Sequence, residues 1–135
     1  MLNMNEQKNT REQNNEIDYE HKYENTKDNE YDDIIEYLFF EYDQNLTFSN
    51  FRGKDLSFKH FSLCDLSNSN LSFSDLSFSA FINVNLSNVN LEGSDLSNTI
   101  FRNSNLTGTN FNNAILTDTV FENNNMLNSS FSDCP

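Results

Sequence analysis

An apolar residue occupies every fifth position of this chain from Leu46 to Phe131. These eighteen positions hold only Leu, Phe and a single Met. A period of five matches neither the 3.6-residue period of a helix nor the two-residue period of a strand. A single helix or strand therefore cannot collect these side chains on one face. The repeat predicts a solenoid, in which each short unit packs on the equivalent unit of the next coil.

Residues twenty apart are alike, which indicates that four units make one coil. Positions 61, 81, 101 and 121 are all Phe, and positions 56, 76, 96 and 116 are all Leu. The residue two before each apolar one should also point inward, and from Cys64 onward it is nearly always small. Gln44, Lys54 and Lys59 break this rule. We therefore expect an irregular first coil and a regular solenoid that starts near His60.

The residues around the repeat resemble the pentapeptide-repeat family, whose unit reads roughly Ala, then Asp or Asn, then Leu or Phe, a small polar residue and a variable one. The matching units include Ser74–Phe78, Val84–Asn88 and Ser104–Gly108. The resemblance covers about two thirds of the chain. It implies an all-β fold, a right-handed quadrilateral β-helix whose coils lie about 4.8 Å apart. Some relatives in this family protect type II topoisomerases by presenting an acidic rod that resembles duplex DNA.

The chain divides into three segments. All five Tyr precede residue 44, whereas eleven of the thirteen Phe follow it. Residues 1–30 have too few apolar side chains to offset the entropy of ordering, so we predict a disordered acidic tail. Residues 31–43 carry one apolar face at helical spacing, formed by Ile34, Ile35, Leu38, Phe39 and Tyr42. This predicts an amphipathic capping helix over the first coil of a solenoid that spans residues 44–135; a partner-binding or membrane-surface helix is the alternative.

No stretch of the sequence indicates secretion or insertion into a membrane. The first ten residues lack the apolar core of a signal peptide, and Glu36 interrupts the longest apolar cluster, residues 34–40. We therefore expect a cytoplasmic protein that does not contact a membrane. In that reducing compartment Cys64 and Cys134 are expected to be free thiols, because the register places them too far apart for a disulfide.

One outward column departs from the repeat. Where the unit normally has Asp or Asn, positions twenty apart hold His60, Ala80, Ile100 and Val120. Together with the neighbouring outward pair Phe58 and Phe78, these residues predict an exposed apolar stripe, and such patches usually mark contacts. The stripe is covered either by the tail or helix of the same chain, or by a protein partner or a second copy. The open last coil, with Phe131 and Cys134, is the candidate end for a homodimer.

The sequence offers no group of residues suited to catalysis, to a cofactor or to a metal. His21 falls in the predicted tail and His60 on an outer face, so no nucleophile and base are brought together. Asp55, Asp75 and Asp95 recur at coil spacing, but no further ligand accompanies them. We expect a protein that is not an enzyme.

The formal net charge of −13 raises the question of DNA mimicry. Residues 1–43 hold thirteen acids against four bases, and residues 44–135 hold eight against four, so most of the acidity lies in the tail. A duplex as long as the solenoid, about 22 Å, carries about thirteen charges. The eight acids of residues 44–135, partly offset by four bases, fall short of that number. We therefore predict a module that binds a protein partner, with a DNA-mimicking modulator or protector of a type II topoisomerase (gyrase) as the alternative. Direct binding to nucleic acid is not expected, because there is no basic stripe.

Overall fold

The apolar residues at the period of five, here called the central residues, point into the axis of a rod. The computed structural model describes residues 45–135, and in this part the central residues from Leu46 to Phe111 are buried. Each coil has four five-residue sides, so residues twenty apart lie directly above one another. The fold is a right-handed quadrilateral β-helix of about four and a half coils, as the repeat and the family resemblance predict.

One side of the rod carries regular strands, which form a single parallel sheet. The strands are β1 (His60–Ser62), β2 (Ala80–Ile82), β3 (Ile100–Arg102) and β4 (Val120–Glu122). They pair in the order β1-β2-β3-β4 with a register of twenty residues. The other sides are joined by single parallel bridges at the same register, such as Asn45 with Asp65.

Hydrogen bonds between coils explain why small hydroxyl side chains fill the second inward position, two residues before each central residue. The main-chain N–H of Leu46 donates to the carbonyl of Asp65 at 2.7 Å, and this pattern recurs along the rod. In addition, the hydroxyl of Ser69 donates to the carbonyl of Leu46 at 2.7 Å, and that of Thr109 to the carbonyl of Leu86 at 2.8 Å. A buried hydroxyl is tolerated here because a main-chain carbonyl accepts its hydrogen bond, either from the preceding coil or, as for Ser74 and Ser94, from three residues earlier in the same coil.

Aromatic rings stack along the sheet side of the core. The four rings in this column have centroids 4.7 to 5.1 Å apart and planes within 6° of parallel, and they belong to Phe61, Phe81, Phe101 and Phe121. The ring of Phe111 meets Phe101 edge-on at 5.8 Å. Both arrangements suit the quadrupole of an aromatic ring. The ring column therefore adds attraction between successive coils to the burial of apolar surface.

The first coil is regular, so the prediction that the solenoid starts near His60 is wrong. Asn45 bridges Asp65, and the main-chain hydrogen bonds of residues 46–58 to the second coil follow the pattern of the later coils. The side chains of Lys54 and Lys59 are partly buried at second inward positions. An end coil accepts them because a long aliphatic stem there can leave the core without crossing a neighbouring coil.

The predicted acidic tail, residues 1–30, and the predicted capping helix, residues 31–43, lie outside the described residues. Within residues 45–135, no helix has the length and apolar character needed to cross a bilayer.

Candidate interaction surface

The corners of the coils are left-handed turns, and their residue types change along the rod. Every fifth residue from 48 to 133, two after each central residue, has a φ between 53° and 69°. Asn, Asp or Gly occupies most of these corner positions. This is expected, because a Cβ atom is strained at positive φ, Gly has no Cβ, and the short polar side chains of Asn and Asp tolerate this region best. Bulky apolar residues occupy five corners, all in the first two coils: Phe48, Phe58, Leu63, Phe73 and Phe78.

These five apolar corner side chains are exposed to solvent, with 51 to 68% of their surface accessible. Phe58 and Phe78 occupy the same corner of successive coils, and their rings stack with centroids 5.0 Å apart and planes 3° from parallel. On the preceding corner, the guanidinium carbon of Arg52 lies 4.4 Å from the centroid of the Phe73 ring. The first two coils therefore present organised aromatic surface to the solvent.

The predicted apolar stripe is present as a column but is interrupted at Ala80. Strands β1 to β4 align His60, Ala80, Ile100 and Val120 in register. His60 and Val120 are exposed and Ile100 is half-buried, but Ala80 is only 6% exposed, so its predicted place in an exposed stripe is wrong. The reason is size, because the Ala80 methyl group is short and lies between the larger side chains of His60 and Ile100. The exposed apolar surface on this side consists of the Phe58–Phe78 pair, Ile100 and Val120.

The C-terminal end of the rod is open. Central residues Leu116, Phe121 and Met126 are half-buried, and Phe131 is exposed although its ring stacks on Phe111 at 4.7 Å. Cys134 is half-buried, and its thiol donates to the carbonyl of Phe111 at 3.2 Å. The structure thus places both candidate residues of the dimer end, Phe131 and Cys134, on the last partial coil, where a second copy could reach them.

The acidic column of Asp55, Asp75 and Asp95 has a structural role. The Ser57 hydroxyl and main-chain N–H donate to one Asp55 oxygen at 2.7 and 3.0 Å, and these hydrogen bonds hold the pKa of Asp55 below its ordinary value of 3.8. The next two carboxylates accept the same pair of hydrogen bonds from the serine two residues later. In the part of the chain that the structure describes, no three His, Cys, Asp or Glu side chains are grouped so that they could hold a metal ion.

The geometry of residues 45–135 does not assemble a nucleophile with a base. His60 is exposed on β1, whereas the thiol of Cys64 is buried inside the first coil. The hydroxyls of Ser57, Ser77 and Ser97 face aspartate rather than histidine, and their hydrogen bonds close tight turns. These serines are therefore structural in the described part of the rod.

Sequence reasoning missed several exposed apolar side chains, and a signal for most of them was present. Leu63, Phe48 and Phe73 are corner residues, and they interrupt a position that elsewhere is dominated by Asn. Ile115 is also exposed, at a position where the coil below has Asp95. Leu127, near the C-terminus, is exposed as well. Comparing the residue types at all five positions of the repeat unit, and not only at its two inward positions, would have found them.

The stacked coils and the surface of corner residues define this molecule as a rigid β-solenoid repeat protein. The family model for pentapeptide repeats matches residues 45–88, 79–118 and 99–134, with eight copies of the repeat. The chain therefore belongs to the pentapeptide-repeat family.

Solved structures include several relatives. The pentapeptide-repeat protein Rfr23 from the cyanobacterium Cyanothece 51142 is 30% identical, with a TM-score of 0.62 over 64% of this chain and 60% of that one. HetL from Nostoc sp. strain PCC 7120, involved in heterocyst differentiation regulation, is 19% identical, with a TM-score of 0.35 over 64% of this chain and 46% of its own. The trypsin-treated plasmid-mediated fluoroquinolone resistance protein QnrB1 is 18% identical, with a TM-score of 0.33 over 65% of this chain and 58% of its own.

This chain thus spans less than two thirds of the length of each of these three relatives. At their level of similarity, neither HetL nor QnrB1 bears on the function of this protein. No curated protein matches the chain in sequence.

Proposed function

We propose that this protein is a non-catalytic interaction module that binds a protein partner through the apolar side chains around the Phe58–Phe78 pair. The observation that carries the proposal is the stacked pair itself, because Phe58 and Phe78 are bulky aromatic residues at the same left-handed corner of successive coils. For a residue other than Gly, Asn or Asp, this conformation costs roughly 1–2 kcal/mol. Exposure of the same side chain to water forgoes its burial. A residue type that weakens the fold in both respects is well explained by a contact with another molecule.

The surface extends along the rod from the first coil to the fourth. The Phe58–Phe78 pair lies at one corner, and the column of His60, Ile100 and Val120 begins two residues after that corner. Three coil spacings of about 4.8 Å give this surface a length of about 14 Å. The sheet beneath it is hydrogen-bonded, so the main chain that carries these side chains is fixed before a partner arrives. A rigid surface of this kind loses little entropy on binding.

Asparagine substitutions at the corners test this function without disturbing the rod. Asn98 occupies the corner above Phe78, so the same turn already accepts Asn in the third coil. We expect the double variant Phe58→Asn/Phe78→Asn to lose at least about tenfold in affinity for the partner, because exposed aromatic anchors carry much of the energy of such contacts. Proteins captured by the unchanged chain from extracts of its source cells identify the partner, and calorimetry then measures the affinity.

Phe48→Asn is the matched control, because Phe48 lies at a different corner and is also exposed with a positive φ. It is expected to retain the partner. Ile100→Asp tests the far part of the surface and is expected to weaken association while the circular dichroism of the rod stays unchanged. Equal binding by the double variant and the unchanged chain would show that the corner pair is not the contact surface.

A further inference from the structure

The apolar surface around the Phe58–Phe78 pair is bordered on one side by negatively charged side chains. Asp75 and Asp95 recur one coil apart, each three residues before a corner of the same column, and they are exposed and half-buried respectively. Three residues of extended chain span at most about 11 Å, so these carboxylates lie beside the aromatic corner. Asp118 lies on that corner column itself, two coils after Phe78. The apolar surface therefore has an acidic border.

The turns of the rod do not require negative charge at these positions. At the equivalent position of another side, one oxygen of Asn105 accepts hydrogen bonds from the main-chain N–H and the hydroxyl of Thr107, at 3.1 and 2.6 Å. Asp75 and Asp95 accept the same two hydrogen bonds from the serine two residues later. Because Asn closes this turn in the same way, the geometry of the turn does not explain why the border is charged.

Aspartate in this column also gives up a contact between coils that asparagine makes. The side-chain Nδ2 of Asn110 donates to Oδ1 of Asn90 at 3.2 Å, across one coil spacing. A carboxylate has no donor, so Asp75 and Asp95 cannot form this hydrogen bond with each other. Their like charges repel instead at the coil spacing of about 4.8 Å. Charges that weaken the stack of coils, beside an exposed aromatic pair, are well explained by cations of a bound partner.

We propose that the partner of the apolar surface is a basic amphipathic helix of another protein, which lies along the rod with Lys or Arg side chains against Asp75 and Asp95. This inference rests on the proposed function, because it names the partner of the same surface. The apolar stripe of the helix covers Phe58, Phe78 and Ile100. The adjacent basic stripe of the helix meets the acidic border.

The spacing of the coils favours a helix over an extended segment. Residues i, i+4 and i+7 of a helix lie on one face and rise by about 6 and 10.5 Å. Three successive coils span about 4.8 and 9.6 Å, so each helical residue stays within about 1 Å of its coil. Same-face residues of an extended strand are about 6.8 Å apart, so a strand along the rod would drift by about 2 Å at every coil.

Two synthetic peptides test this proposal on the full chain. Both are Ala-rich helices of about fourteen residues, or about 21 Å, with Leu on one stripe, and they differ only in carrying Lys or Glu on the adjacent stripe. NMR amide shifts of the labelled chain locate each peptide, and titration at about 0.15 M salt, where long-range attraction is screened, gives Kd. We expect the Lys peptide to shift amides in residues 75–80 and 95–100. The Glu peptide should bind there at least about tenfold more weakly.

Two variants separate the acidic border from the total charge of the chain. Asp75→Asn/Asp95→Asn keeps both turns and should weaken binding of the Lys peptide by about three- to tenfold, since an exposed ion pair contributes modestly. Asp55 is left in place, because the lysine four residues later already acts on its charge. Asp65→Asn/Glu92→Gln is the matched control, because it removes the same charge from two other sides of the rod. This control should leave the Kd of the Lys peptide unchanged.

Four results would overturn the proposal. Equal affinity of the two peptides at the aromatic corner would show that charge does not select the partner, and the proposed function would stand. Unchanged affinity of the Lys peptide for Phe58→Asn/Phe78→Asn would show that charge alone attracts it, which counts against the corner as a contact surface. Shifts of the same amides between protein concentrations about tenfold apart, without peptide, would identify a second copy as the occupant. If neither peptide shifts these amides, the surface does not accept a helix, and capture of a partner by the unchanged chain tests the proposed function separately.

Discussion

Two glycines at the same corner of the rod allow the cost of backbone strain to be separated from the cost of a contact. Gly53 and Gly93 have φ values of +67° and +63°, and they lie one coil below and one coil above Phe73. A Cβ atom on Gly53 would meet no atom within 4 Å, whereas one on Gly93 would lie 2.6 Å from Cε1 of Phe73. Substitution by Ala therefore strains the main chain equally at both corners, but only Gly93→Ala displaces the Phe73 ring.

The expected magnitudes follow from these contacts. A left-handed Ala costs roughly 1–2 kcal/mol, and the smaller entropy of its unfolded chain offsets about 0.4–1 kcal/mol of this. Gly53→Ala should therefore lower the free energy of unfolding by about 1 kcal/mol. Gly93→Ala also moves the Phe73 ring from its position 4.4 Å from the guanidinium of Arg52. Losing an exposed cation–π contact costs about 0.5–1 kcal/mol, so the total should approach about 2 kcal/mol.

Thermal and urea unfolding monitored by circular dichroism measure both variants. For a domain of this size, 1 kcal/mol corresponds to about 4–8 °C in Tm, so Gly93→Ala should unfold several degrees below Gly53→Ala. Adding Phe73→Asn should lower the difference, because the ring that obstructs the new methyl group is then absent. If Gly93→Ala and Gly53→Ala have the same Tm, the position assigned to the Phe73 ring is incorrect.

Three further outcomes are expected. Phe101→Ala should lower the free energy of unfolding in urea by about 3–5 kcal/mol because it empties a fully buried site in the ring column. Phe131→Ala, at the open end, should cost clearly less, and equal losses would contradict the difference in burial between the two rings. Ser57→Ala should raise the pKa of Asp55 towards 3.8 in an NMR titration, since the hydrogen bond from the Ser57 hydroxyl lowers it. In the unchanged chain, the stability that this carboxylate contributes is present above its unfolded pKa and is lost as the pH falls through its lower folded pKa. The full chain should leave DNA supercoiling by a purified type II topoisomerase unchanged, because residues 45–135 have a net charge of only −4; inhibition would favour DNA mimicry.

The positions of the inward side chains could be predicted from the sequence, whereas the exposure of many outward side chains could not. The stacking of Phe61, Phe81 and Phe101 follows directly from their spacing of twenty residues. In contrast, the lysines in the first coil predicted irregularity, and the structure shows regular pairing there. The main-chain hydrogen bonds to the second coil form regardless of those side chains. At the end of a rod, a long side chain can also leave the core without breaking them.

Ala80 and Phe73 show why exposure was harder to predict than stacking. Both occupy outward positions of the repeat, yet Ala80 is buried and Phe73 is exposed. The difference depends on which side chains lie in the coils directly above and below, and on how far they extend. Gly93 leaves space beside the ring of Phe73, whereas His60 and Ile100 are both larger than the methyl group of Ala80.

The period of the coil, the residues of its core and the column of each residue can be read from the sequence. This is possible because, after the first coil, an inward position accepts only an apolar or a small side chain, so these units carry the same local constraint. Only the stacked coils reveal which outward side chains meet water, and that every position two after a central residue lies at positive φ. These properties depend on neighbours twenty residues away, and only the stacking of the coils brings those neighbours into contact.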